Sequence, residues 1–134
     1  MEEQKIYYIY TMSINGIVFY VGMTADPIGR YYAHYFDKQS ACYWITRFCL
    51  CDRKQICKMS IIDSVLGSQE ARKLERYYIN TYQKISYLLN CEIFIKPFTD
   101  FPIRFHKIKN AHLITAEYYN IKEQIKNKPF LVKS

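Results

Sequence analysis

Two tyrosine-bearing segments near the start of the chain, Lys5-Ile6-Tyr7-Tyr8-Ile9-Tyr10 and Phe19-Tyr20-Val21-Gly22-Met23-Thr24, precede Arg30 and His34 and, much later, Glu75. These residue types suit phosphodiester cleavage. That reaction needs a nucleophilic water, stabilisation of charge on the phosphoryl oxygens and help for the leaving oxygen. An arginine fork can hold a phosphate, a carboxylate can hold a divalent cation, and tyrosine or histidine can move a proton. Taken singly, each is weak evidence, because strand tyrosines usually fill cores and a lone helical glutamate is usually solvated. The order of the set, and the spacing from Gly22 through Arg30 to His34, carries the reading.

The elements that must position these residues are legible nearby. Asn15-Gly16 sits between the two tyrosine segments, and a type I′ turn needs positive φ at both central residues, so Ile6 to Met12 and Ile17 to Met23 read as a β-hairpin. Asp26-Pro27 reads as an N-cap followed by proline at the first helical position. The helix from Pro27 to Phe36 then carries Arg30 and His34 on one face, four residues apart. Ser40 to Leu50 reads as a second helix with Trp44, Ile45 and Phe48 inward, and Lys58 to Val65 as a third strand. Ser68 is a candidate N-cap for a helix reaching about Lys84, with Ala71, Leu74, Tyr78 and Tyr82 at helical spacing and Glu75 within it. Asn90 follows in a short connection, Cys91 to Ile95 extends as a strand, and Pro97 and Pro102 end the unit. Asn110 to Asn127 reads as a last helix on the stripe Leu113, Ile114, Ile121 and Ile125.

At 134 residues there is room for one core, with the apolar fraction at 50%. No apolar run approaches a membrane span, and Met1-Glu2-Glu3-Gln4-Lys5 does not read as a signal peptide, so the expectation is an intracellular protein with no membrane partner. The five cysteines include Cys42, Cys49, Cys51 and Cys57 in one region; an odd count without a secretory signal reads as reduced thiols. Zinc is disfavoured, because Cys49 and Cys51 are too close for a zinc knuckle and no second pair follows. The net charge of +7 favours a polyanionic partner, chiefly nucleic acid.

Tyrosine on each of two strands, Gly-x-Thr, arginine and histidine on a helix, then a helical glutamate and a following asparagine: this pattern resembles the GIY-YIG nuclease family over about Lys5 to Ile95. The resemblance implies an α+β fold of the α/β class, a small three-stranded antiparallel sheet flanked by helices, here with an additional C-terminal helix. It divides the chain into a nuclease domain over 1–96 and a C-terminal extension over 97–134, packed on the domain or appended to it. Tyr7 takes the position of the first-triplet tyrosine, Tyr20 that of the second, Gly22 the family glycine, Arg30 the helix arginine and His34 the common histidine. Glu75 takes the metal-binding glutamate and Asn90 the asparagine that closes the module. Two departures stand out: the first triplet, Lys5-Ile6-Tyr7, lacks its glycine, and the hairpin is about two residues longer than usual. Sharing the extra residues equally about Asn15-Gly16 keeps Tyr7 and Tyr20 in the family's cross-strand relation and leaves Tyr8 and Tyr10 as packing residues.

The activity implied is divalent-metal-dependent endonucleolytic hydrolysis of DNA. Glu75 is then the protein ligand of one Mg²⁺ or Mn²⁺, which acts at the leaving 3′ oxygen. Arg30 holds the scissile phosphate, Tyr7 is the general base, and Tyr20 and His34 share proton handling around the water. A phenol with a pKa of about 10 needs nearby cations, such as Arg30, the metal and Lys5, to serve as a base. Gly22 and Asn90 support the site, and Lys107 and Lys109 join Arg30 in contacting phosphates. A chain this short leaves little room for a specificity domain, so selectivity rests on weak preference, a protein partner or self-association. The competing reading is a non-catalytic nucleic-acid-binding module on the same fold.

Overall fold

Asn15 and Gly16 reverse the chain with φ of 52° and 79°, both in the left-handed region that a type I′ turn demands. They join β1 (Ile6–Ile14) to β2 (Ile17–Thr24), and β3 (Lys58–Leu66) pairs with the other side of β1. The computed structural model describes residues 5–91 and 111–127. Its sheet is antiparallel in the order β2-β1-β3. The expected strand from Cys91 to Ile95 falls mostly outside the described residues, as do Lys107 and Lys109.

Four helices cover the sheet: α1 (Pro27–Phe36), α2 (Tyr43–Asp52), α3 (Ser68–Tyr82) and α4 (Ala111–Asn127). The Asp26 side chain caps α1 by accepting from the Gly29 N–H at 3.0 Å, with Pro27 at the first turn as the sequence suggests. Strand alternation sorts side chains onto two faces. Tyr8, Tyr10, Met12 and Tyr20 face a core built with Tyr31 and Tyr35 of α1, Leu50 of α2, and Ile114 and Ile121 of α4. Tyr7, Ile9, Val21 and Met23 face the opposite way, onto Ala71, Leu74 and Tyr78 of α3.

The α2 expectation needs correction. The helix starts at Tyr43 rather than Ser40, and its buried residues are Tyr43, Thr46, Arg47, Cys49 and Leu50, with Trp44, Ile45 and Phe48 only partly covered. Arg47 is buried because its Nε donates to the Tyr35 carbonyl at 2.6 Å and its guanidinium lies over the Tyr43 and Phe36 rings. A cation in the inward stripe hides the helix face from a purely apolar count. At the other helix, the N-cap position of α3 is Gly67, with φ 87°, and Ser68 is the first helical residue.

Both outer strands are closed by side chains rather than by further strands. On β3, the Glu117 carboxylate accepts from the Met59 N–H at 3.0 Å, and Gln124 accepts from the Ile61 N–H at 2.8 Å while donating to the Met59 carbonyl at 2.9 Å. Helix α4 thereby caps an edge that would otherwise present unpaired backbone groups. On β2, Asn90 does the same at Val21, accepting from its N–H at 2.9 Å and donating to its carbonyl at 2.6 Å. No described helix is long and apolar enough to cross a membrane.

Candidate active site

The hairpin register decides which tyrosines meet. Tyr10 lies opposite Gly22, Tyr8 opposite Thr24 and Met12 opposite Tyr20, and the register then slips so that Ser13 faces Val18. Phe19 is the extra residue of a bulge on β2. The register thus gains one residue on β2 alone instead of one on each side of the turn, and the expected cross-strand relation of Tyr7 to Tyr20 does not form. Tyr7 turns onto the α3 face, whereas Tyr10, expected to be packing, joins Tyr20 on the face toward α1.

On that face three aromatic rings cluster. The Tyr10 and Tyr20 centroids are 6.2 Å apart, and His34 lies 5.8 Å from Tyr10 and 5.5 Å from Tyr20. The Tyr10 hydroxyl is 2.8 Å from His34 Nε2, and Ser40 Oγ is 2.5 Å from His34 Nδ1. Helix α1 makes this possible because the i, i+4 spacing brings Arg30 and His34 to one side of the helix. Arg30 is exposed and, among the described residues, makes no ion pair. Its charge nevertheless acts on His34, Tyr10 and Tyr20.

Gly22 is required by close approach, not by backbone conformation. A Cβ there would lie 2.5 Å from the Tyr10 hydroxyl oxygen and 2.6 Å from Cζ. The bare backbone lets the Tyr10 ring lie across β2 and reach His34. This gives a steric reason for glycine in Tyr20-Val21-Gly22.

Glu75 approaches from the other layer. Its carboxylate, half-buried on α3, accepts from the Met23 backbone N–H. Met23 and Val21 have the same parity on the outer strand, so Glu75 and Asn90 occupy adjacent stretches of the same outer edge. From that edge the Glu75 charge reaches Tyr10 and Tyr20 on the far face. The expected set Tyr20, Gly22, Arg30, His34, Glu75 and Asn90 is therefore gathered around the middle of β2, and Tyr7 is the member left out.

Protonation follows from burial. Desolvation first, and then the Arg30 charge, hold the His34 pKa down to about 4, so the imidazole is neutral at physiological pH. Desolvation, together with Cys42 and Glu75, pushes Tyr20 up to about 12, against the lowering effect of Arg30. Tyr10 is raised well above the usual phenol value, chiefly by desolvation. Burial also raises Glu75, against the opposing pull of Arg72, Arg76 and the Met23 N–H. A carboxylate that is partly desolvated gains from a bound cation.

The donor set suits a hard, well-hydrated ion. Among the described residues no group of three or more His, Cys, Asp and Glu side chains could hold a metal. One carboxylate, with waters and substrate oxygens completing the shell, is the arrangement Mg²⁺ accepts and structural zinc does not. Cys42, Cys49, Cys51 and Cys57 are free thiols, the first two and Cys57 buried.

A family comparison bears directly on this arrangement: the GIY-YIG catalytic domain matches residues 4–88, well over half of the chain. The chain belongs to the GIY-YIG nuclease family. No curated protein and no solved structure matches it significantly. The GIY-YIG match spans the hairpin, Arg30, His34 and Glu75 and ends just short of Asn90. The antiparallel three-stranded sheet with flanking helices, and the C-terminal helix α4, fit a GIY-YIG fold. Two residues of the ring cluster around His34 were not singled out in the sequence. Tyr10 was hidden by the bulge at Phe19, and Ser40 by its place in an irregular link between α1 and α2.

Proposed function

We propose that the chain is a divalent-metal-dependent endonuclease that hydrolyses phosphodiester bonds in DNA. The observation that carries this reading is the convergence, around the outer edge of β2, of an exposed arginine, a half-buried carboxylate and a tyrosine–histidine cluster. The family's nuclease activity agrees with it.

Arg30 holds the scissile phosphate. Its exposed guanidinium offers paired donors in fixed geometry to two phosphoryl oxygens. Glu75 is the protein ligand for Mg²⁺ or Mn²⁺, and the bound ion supplies Lewis-acid stabilisation of the leaving 3′ oxygen. Tyr20 is half-buried where Tyr10 is closed off, so its oxygen orients the attacking water and, once ionised to the phenolate with its own proton released to solvent, takes the water's proton. Burial first, then Cys42 and Glu75, raise the Tyr20 pKa, and a cation held at Glu75 would offset the Glu75 contribution in the same direction as Arg30 does. Tyr10 and His34 form the polar floor behind Tyr20, while Gly22 and Asn90 hold the strand that carries it.

Lys107 and Lys109 extend the phosphate contacts, and a protein partner or self-association supplies specificity. The assignment to an intracellular, reducing compartment belongs to the same proposal. Purified protein with Mg²⁺ should nick supercoiled plasmid, and chelation by EDTA should stop it. Binding of the same plasmid with no cleavage in Mg²⁺ or Mn²⁺ would leave a non-catalytic nucleic-acid-binding module.

A further inference from the structure

His34 is 2% exposed and has a hydrogen-bond partner at each ring nitrogen, Tyr10 at Nε2 and Ser40 at Nδ1. A neutral imidazole has one N–H and one lone pair, so one of these contacts is donated by the ring and the other accepted. The Ser40 side of this relay points to one arrangement. Ser40 Oγ accepts from the Cys42 backbone N–H at 3.1 Å, and an amide N–H can only donate. Among the described residues, the acceptor within hydrogen-bond distance of the Ser40 hydroxyl hydrogen is His34 Nδ1. A hydroxyl that accepts at one side and donates at the other is also the arrangement in which successive hydrogen bonds polarise one another favourably. The sequence of donors therefore runs from Cys42 N–H to Ser40, from Ser40 O–H to Nδ1, and from Nε2–H to the Tyr10 oxygen.

We propose that Ser40 is a positioning residue that fixes His34 as its Nε2–H tautomer, so that His34 serves as a hydrogen-bond donor to Tyr10 and not as the base of the site. Tyr10, buried behind Tyr20 and supplied with a donor from His34, keeps its own hydroxyl hydrogen for the Tyr20 side of the cluster instead of spending it on the imidazole. The catalytic consequence rests on the nuclease reading above, but the tautomer does not. The helix histidine, which sequence alone suggests for proton exchange, is thereby assigned an electrostatic role. Its Nδ1 is occupied by Ser40 and its Nε2 proton by Tyr10, which leaves no ring position for a proton from water.

The test combines long-range ¹H–¹⁵N spectra of His34 with steady-state cleavage. Wild-type protein should show the Nε2–H tautomer at neutral pH. Ser40→Ala should shift His34 towards a mixture of tautomers and lower kcat by roughly five- to tenfold, the worth of one hydrogen bond, with KM for DNA unchanged. Ser40→Thr keeps the hydroxyl and should restore both the spectrum and kcat. An Nδ1–H tautomer in the wild type, or a His34 spectrum unmoved by Ser40→Ala, would overturn the proposal. The spectra need no cleavage, so a protein with the Nε2–H tautomer that never cuts DNA would refute the nuclease reading alone.

Discussion

Replacing Gly22 with alanine adds one methyl group at the point where the structure can least accept it. The new Cβ would lie 2.5, 2.6 and 2.8 Å from the Tyr10 Oη, Cζ and Cε2 atoms, far inside van der Waals contact. A flexible side chain could swing away at little cost. The Tyr10 ring cannot, because it is 1% exposed, tied to His34 at 2.8 Å and flanked by Tyr20. Overpacking of this kind costs about 1–3 kcal/mol, and loss of the Tyr10–His34 hydrogen bond adds about 1 kcal/mol. The total, about 2–4 kcal/mol, corresponds to a fall in Tm of roughly 10 °C for a domain this size. Denaturant unfolding of wild type, Gly22→Ala, Tyr10→Ala and the double variant forms the assay. With Tyr10 truncated the methyl has room, so Gly22→Ala should cost much less in that background, a coupling of at least about 1 kcal/mol. Additive effects, or a Gly22→Ala protein as stable as wild type with His34 signals unchanged, would refute the claim that glycine serves to admit the Tyr10 ring.

Other expected outcomes follow from the same geometry. Tyr20→Phe should lower kcat on the order of 10²- to 10⁴-fold, while Tyr7→Phe, on the opposite face, should stay within a few-fold of wild type; the reverse order in plasmid cleavage would return the chemistry to Tyr7. His34 has a folded pKa of about 4, below its unfolded value of about 6.5, so the unfolded chain takes up the proton first. Its contribution to stability is thus complete above about pH 6.5 and lost as pH falls toward 4, up to about 3 kcal/mol; the difference between wild-type and His34→Gln unfolding curves isolates it, and a flat difference would contradict the assignment. Deletion of everything after Asn90 should give an unfolded or aggregating fragment by circular dichroism and light scattering, because α4 covers the core with Ile114 and Ile121 and pairs the Met59 and Ile61 N–H groups; a soluble, cooperatively folding fragment would show α4 to be dispensable.

Much of the scaffold is legible in residues whose conformational demands are local. Asn15-Gly16 specifies its turn through positive φ, and Asp26-Pro27 starts α1 within hydrogen-bond reach of its own helix. Arg30 and His34 follow from helical spacing alone. The choice among Tyr7, Tyr8 and Tyr10 was not legible, because a one-residue bulge reverses the side-chain parity of a strand and leaves no mark in composition. Glu75 could be named from its place in the motif, but its contact with the Met23 N–H depends on the packing of α3 across the sheet edge. Ser40 has no local signature; only the approach of an irregular link to His34 gives it significance. In α2 the inward Arg47 broke the apolar pattern on which the face assignment relied.

The central claim is that the carboxylate at the edge of β2 supports DNA cleavage through a bound divalent ion, and Glu75→Ala tests it most directly. The side chain is half-buried on α3 and contributes little packing, so the variant should fold and bind DNA much as the wild type does. In Mg²⁺, nicking of supercoiled plasmid by the wild type should be lost in Glu75→Ala, with affinity for the same plasmid retained. Undiminished cleavage by purified Glu75→Ala protein would contradict the account.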